Sequence, residues 1–320
     1  SPESMRDVLQ KTKDWQEMTP EQLKEALLHA PQDESADASY CREQLDMLKQ
    51  CAAASKDVYE ALEKYDIPNT VNNILALEAM RADGNKMFRK IFGSGLKDSD
   101  DKVGVEDIEK IKEELIKEFG EAVSEPEEMA IAQEKLGELA ENVMKGMITD
   151  GEVTSIDVRE MRLLSAQLSV NSLLAKQEKY SVPVMVNGGV VNVSLKIVRG
   201  VDKKGIVDIM MESELRGKIA ATFQAKEDGI SGFLATDNPG TKALFEENAS
   251  QLTESIFGQG GENTDMHYAY VKDLDFDHFS TGRFGEKAKE QESGDESYRV
   301  QTTRLYHIAE SFIRQIRSIV

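Results

Sequence analysis

The chain has 320 residues, enough for two ordinary domains with a core each, and its 39 Lys and Arg against 59 Asp and Glu leave a formal charge of −20 and a pI near 4.7. A surface this acidic repels a phosphate backbone and an anionic lipid leaflet alike, so nucleic acid is not an expected partner. No apolar run reaches the roughly 18 residues that span a bilayer, and the two cysteines, Cys41 and Cys51, fall on different faces of a helix-like stretch, so no disulfide is expected.

Residues 1–180 carry 23 Lys and Arg against 38 Asp and Glu, a balance of −15, whereas 181–274 carry 9 against 13, a balance of −4. The acidity therefore sits in the first half, where charge pairs at i,i+4 coat exposed helix faces. Thr19-Pro20-Glu21-Gln22 places a cap, a first-turn proline and a Gln at N3, and starts a short helix carrying Leu23, Ala26 and Leu27. A second helical stretch runs through Leu45, Leu48, Ala52, Ser55, Tyr59 and Leu62 until Asp66-Ile67-Pro68-Asn69-Thr70 breaks it. Asn69 or Thr70 caps the next helix, with Val71, Ile74, Leu75, Leu77 and Met80 at helical spacing.

A glycine- and aspartate-rich loop follows at 93–101. Ile108, Ile111, Leu115 and Phe119 then mark an amphipathic helix, and Met129, Leu136, Leu139, Val143 and Met147 mark another. A last helix of this half spans about 154–177, with Val158, Met161, Leu164, Leu168 and Leu173 inside. At Tyr180 the period shifts from near 3.6 to 2, the change expected where helices give way to a sheet.

Val182–Val186 and Val190–Val198 flank Asn187-Gly188-Gly189 and read as a hairpin. Further strands are expected at 205–212, 218–226 and 230–236. Asn238-Pro239 then starts one helix through Phe245, Ala249, Leu252 and Ile256, and Met266–Val271 closes the sheet. The fold class is α+β: a helical domain over 1–178 with a sub-boundary near 93–104, a sheet-and-helix domain over 180–274, a polar linker over 275–297, and an amphipathic helix over 298–320. That last helix, with Leu305, Ile308, Phe312, Ile316 and Ile319 on one face, either packs back on its own domain or lies on a partner or lipid surface.

The residues offer little chemistry. Asp98 to Glu109 has the outline of a calcium loop, but Lys102 stands at a ligand position and glycine falls at position 7 instead of 6. Asp150-Gly151-Glu152 reads as a turn before a Thr154 or Ser155 cap. Asp273, Asp275, Asp277 and His278 are hard-metal donors, yet alternate residues leaving a strand are more often solvated. His29, His267 and His307 have no spacing partner, and no nucleophile elbow, P-loop lysine or dinucleotide glycine pattern is present. No catalytic, cofactor or metal residues are assigned.

The order of strand, Leu215-Arg216-Gly217, Lys218-Ile219-Ala220-Ala221-Thr222-Phe223, Asp228-Gly229, strand, Asp237-Asn238-Pro239, helix and closing strand resembles the carboxy-terminal domain of bacterial flagellar hook-length control proteins over about 182–272. The flanking helices, including Tyr65 to Thr70, resemble those of proteins from flagellated Firmicutes that share this tail. The resemblance implies a non-enzymatic, cytoplasmic interaction module, itself a substrate for export by the flagellar type III apparatus, that contacts the cytoplasmic domain of the export gate and influences substrate switching. The family's Pro-x-x-Leu-Gly segment corresponds to Ser213–Gly217, where the proline is absent and the leucine stands one residue early. The implied contact residues are Leu215, Gly217, Lys218 and Ile219, taken as a strand at a sheet edge that accepts a partner strand, the alternative being an edge covered by a loop. An alternative is a cytoplasmic adaptor or export chaperone that holds its partner through the acidic helical half.

Overall fold

A computed structural model describes residues 15–28, 36–93, 102–149, 155–200, 204–258, 263–276 and 296–319. The chain is α+β and divides into two compact units, Ser1–Met87 with Met147–Leu173, and Phe88–Gly146 with Leu174–Val320. The change of period at Tyr180 thus marks where the sheet begins but not where its unit begins, because the helices of 102–146 belong with the sheet.

The first unit contains α1 (Pro20–Leu28), α2 (Ala36–Ala53), α3 (Lys56–Lys64), α4 (Val71–Ala82) and most of α8 (Ser155–Ala175). Thr19 and Gln22 form the expected reciprocal box: the Gln22 N–H donates to Thr19 Oγ1 at 3.2 Å and the Thr19 N–H to Gln22 Oε1 at 3.0 Å. Thr70 caps α4 by accepting from the Asn73 N–H at 3.3 Å. The stretch read as one helix through Leu62 is two, α2 and α3, broken at Ala54-Ser55. There the Ser55 N–H donates to Glu78 and the Ser55 hydroxyl accepts from Arg81. Those partners lie on α4 and are invisible to local periodicity. Leu23, Val58, Leu62, Val71, Ile74 and Cys51 are buried, and burial pushes the Cys51 thiol up to about 11, which makes it unreactive.

The second unit begins in α5 (Lys86–Gly93), a short helix over residues to which the periodicity assigned no element, and continues through α6 (Lys102–Ala122) and α7 (Pro126–Thr149). Leu115, Phe119, Val123, Met129, Ala132, Leu136 and Ala140 are buried as the 3.6 period requires. Ile111 departs from that pattern: it is 48 % exposed while the neighbouring Lys112 is buried.

The six strands are β1 (Lys179–Val186), β2 (Gly189–Arg199), β3 (Gly205–Ser213), β4 (Gly217–Lys226), β5 (Gly229–Thr236) and β6 (Asn263–Tyr270), in the spatial order of the sequence. The first five form an antiparallel meander, and β6 pairs parallel to β5 after a helical crossover. Asn187 and Gly188, with φ of 49° and 81°, make the two-residue turn that the β1–β2 hairpin needs. The crossover is two helices, α9 (Pro239–Glu247) and α10 (Ala249–Phe257), where one was expected. At the break, the Asn248 side chain donates to the Leu244 carbonyl at 2.8 Å, beside the Asn248 N–H, which donates to the same oxygen at 3.1 Å.

α11 (Glu296–Ile319) packs on β1–β3 and α10, with Leu305, Tyr306, Ile308, Ala309, Phe312, Ile313 and Ile316 buried. Phe223 of β4 anchors this face, meeting Phe312 at a centroid distance of 5.1 Å and Phe257 at 6.4 Å, both edge-on. Leu274 and Phe276 cover the opposite face against Ala220, Ala235, Met210 and Phe233.

Candidate functional site

The residues that the resemblance singles out lie at the turn between β3 and β4. Ser213 pairs with Gly217 across a three-residue loop, and Gly217, the first residue after it, takes φ +70°, a left-handed conformation that glycine adopts without strain. Four hydrogen bonds fix the loop. The Arg216 N–H donates to Ser213 Oγ at 3.1 Å and the Lys218 N–H to Asp237 Oδ1 at 2.7 Å. The Asp237 N–H returns to the Lys218 carbonyl at 3.3 Å, and the Thr241 hydroxyl donates to the Arg216 carbonyl at 2.9 Å. Asp237 and Thr241 belong to the segment in which Asn238 caps α9 by accepting from the Thr241 N–H, so one helix start also braces the turn.

The four residues differ in what they present. Leu215 is 62 % exposed at the tip of the loop. Ile219 is 1 % exposed and belongs to the core. Lys218 is half-buried with its Nζ 5.7 Å from the Phe276 ring centroid, and Gly217 packs against Asp237 and Asn238.

The expectation of a partner strand pairing here is corrected by the topology. β4 lies between β3 and β5 with ladder bonds on both sides, so its backbone has no groups left for another chain. The edges of the sheet are β1 and β6. Leu215 is not isolated, however, because β5 and β6 end on the same side, where Tyr270 and Val271 are also exposed. Strands lie about 4.8 Å apart, which puts the start of β4 roughly 10 Å from the end of β6.

A second constellation is buried between the first hairpin and α11. Tyr180 and Tyr306 share a hydroxyl hydrogen bond of 2.7 Å, the Tyr306 hydroxyl also reaches Glu178 Oε1 at 2.9 Å, and Arg199 Nη2 donates to the same carboxylate. Burial outweighs Arg199 and Tyr306 and holds the Glu178 carboxyl above its ordinary range. The Tyr180 phenol is pushed up to about 12 by burial, and Tyr306 further in the same direction for the same reason. Glu178 itself stands at φ +56°, a strained conformation for a non-glycine residue. The cluster ties α11 to the sheet, and Arg304 adds a bond from its Nη1 to the Lys226 carbonyl at 2.7 Å.

In the first unit, a cavity of about 430 Å³ opens among α2, α4 and α8. Its lining includes the apolar Met47, Ala53, Leu75 and Leu163 and the charged Glu43, Asp46, Glu78 and Arg159. Among the described residues no group of three or more His, Cys, Asp or Glu is placed to hold a metal, and no helix is long and apolar enough to cross a membrane. Asp98–Asp101, Asp150–Thr154, Asp277 and His278 lie outside the described residues. Lys102 to Glu109 are helical, which removes the loop that a calcium ion would need. No protein-family model, curated protein or solved structure matches the chain.

Proposed function

We propose that this chain is a non-enzymatic protein-interaction module whose sheet unit engages a partner through the end of the sheet carrying Leu215, Tyr270 and Val271. One observation carries the reading: a loop held by four hydrogen bonds, with a glycine in a left-handed conformation, displays a leucine that is 62 % exposed. A rigid turn adds nothing to the burial of Leu215, whereas presenting an apolar side chain at little ordering cost is what a binding anchor requires.

The resemblance to hook-length control proteins supports the cytoplasmic domain of the flagellar export gate as that partner. It also supports a cytoplasmic location, with passage through the type III apparatus. The test measures binding of the full chain to that domain, immobilised, with Leu215→Asp as the variant. Binding abolished by Leu215→Asp, while hydrogen exchange in β3–β5 stays unchanged, supports the reading. Absence of binding by the parent chain removes the gate as partner, and equal binding by the variant removes this surface.

The adaptor reading has the cavity of the first unit in its favour, since a lining of apolar side chains and carboxylates suits a basic amphipathic segment. A fragment of residues 1–178 does not test it cleanly, because it strands Phe88–Gly146 without the sheet. Filling the cavity with Ala79→Trp, at a residue of α4 that lines it, does: partner binding lost in Ala79→Trp but kept in Leu215→Asp identifies the adaptor.

A further inference from the structure

The sheet has two edges, and the protein treats them differently. β1 is guarded: Pro183 removes one backbone donor and Gln133 of α7 donates to the Ser181 carbonyl at 3.3 Å, whereas the helices that contact β6, α9 and α10, leave its pairing with β5 intact. β6 reads Asn-Thr-Asp-Met-His-Tyr-Ala-Tyr, without proline, lysine or arginine, and its register with β5 runs from Asn263 to Tyr270 without a bulge. Among the described residues no strand pairs with its outer side. A straight eight-residue edge without these guards is a template for another strand.

We propose that the strand is that of a second copy, so that two chains join antiparallel through β6 about a two-fold axis at Met266, with each Asp265 opposite the other copy's His267. The direction of the backbone groups selects the register. The Val271 N–H donates to the Thr236 carbonyl at 2.9 Å, toward β5. Backbone polar groups alternate sides along a strand, so residues 265, 267 and 269 also face β5. Thr264, Met266, Tyr268 and Tyr270 then turn their N–H and C=O outward. Self-pairing must set outward residues against outward residues. An axis at Met266 does this, matching Thr264 with Tyr268 and Met266 with itself, for about six ladder hydrogen bonds.

Charge separates this register from its neighbour. With the axis at Met266, Asp265 and His267 occupy the non-hydrogen-bonded sites, where facing Cα atoms approach to about 4.5 Å and side chains interact most strongly. Moving the axis to His267 instead sets imidazole against imidazole and leaves Asp265 facing alanine. Within one chain Asp265 and His267 are exposed and hydrogen-bonded at 2.9 Å, so both groups already lie on one face, turned to solvent, and carboxylate and imidazole alternate across the axis. A heterologous peptide has no reason to match this alternation, whereas a second copy does so by symmetry. This surface is separate from the Leu215 loop.

The test is sedimentation of the full chain under reducing conditions, from about 1 to about 200 µM, a range that brackets the modest affinity expected of a single strand pair. The expected result is a concentration-dependent dimer. Thr264→Pro removes an outward donor from an exposed position and weakens it about tenfold or more. Asp265→Lys weakens it too, by removing the carboxylate that faces the imidazole, and the exchange Asp265→His with His267→Asp restores it because carboxylate and imidazole face each other again. A chain that stays monomeric throughout overturns the proposal and leaves the edge to a different protein's strand. A dimer indifferent to Thr264→Pro overturns the β6 interface, and a dimer lost in the exchanged variant overturns the register at Met266.

Discussion

Replacing Gly217 with alanine tests whether the β3–β4 turn is as constrained as its geometry requires. A Cβ there would lie 2.2 Å from Asp237 Oδ1 and 3.3 Å from the Asn238 Cβ, on a backbone at φ +70°. The left-handed conformation costs a non-glycine residue about 1–2 kcal/mol. Displacing the Asp237 carboxylate breaks its bond to the Lys218 N–H, worth about 1–2 kcal/mol for a half-buried charged acceptor. The sum, about 2–4 kcal/mol, is a large share of a domain's stability. Asp237→Ala alone costs about 1–2 kcal/mol, and it removes the atom that the new Cβ strikes.

The double variant should therefore lose less than the sum of the singles, by about 1 kcal/mol, because both singles break the same hydrogen bond. The chain's single Trp is Trp15, in the other unit, so intrinsic fluorescence does not report here. Hydrogen exchange of β4 and β5 peptides does, with an expected acceleration of roughly 30-fold or more in Gly217→Ala. Exchange within about threefold of the parent, or strictly additive effects, would refute the reasoning. The same geometry disqualifies larger residues at Gly217 as probes of binding, since a loss of affinity would report a damaged turn.

The buried cluster makes stability depend on pH. The folded state raises the Glu178 carboxyl, so the stability linked to this group is fully present below the ordinary glutamate range and is lost as pH rises through the raised value. Glu178→Gln lowers stability by leaving Arg199 buried without its carboxylate, but flattens the pH dependence of exchange in β1 and β2; an unchanged slope counts against the assignment. At alkaline pH, Tyr180 keeps its proton until about 12, so its contribution holds below the ordinary tyrosine range and is lost as pH rises through 12. Tyr180→Phe should accordingly leave the phenolate absorbance unchanged below about pH 11. Phe312→Ala empties a fully buried site against Phe223 and should cost about 3–5 kcal/mol, read as exchange in β4 and α11; a cost under about 1 kcal/mol would mean that α11 does not hold this face.

Much of the local structure was legible because it is written at short range. The alternation in Val191, Val193, Leu195 and Ile197 is the buried side of β2, the Thr19 and Gln22 box starts α1, and Asn187-Gly188 turns the first hairpin as its positive φ preference dictates. Departures occur where a distant partner decides, and where burial does not follow the helical period. Ser55 breaks a helix because Glu78 and Arg81 hold it, and the periodic Ile111 faces solvent while Lys112 is buried.

For the candidate site, the sequence located the loop but misjudged its surroundings. Leu215 is exposed and Gly217 is conformationally necessary, two properties that follow from a loop between alternating strands. That β4 lies inside the sheet, that Ile219 is buried, and that the open edge belongs to β6 depend on the order in which strands pair, which no single strand's residues encode. Glu178, Tyr180, Arg199 and Tyr306 likewise span 128 residues of chain and meet only because α11 returns to the first hairpin. By itself the sequence determined most of the elements, several of their caps and turns, and the α+β class, since these rest on contacts within a few residues and on side-chain period. Only the tertiary structure decided which helices join the sheet, which edge is open and which charges are buried, because those follow from long-range pairing and from exclusion of water by residues far apart in the chain.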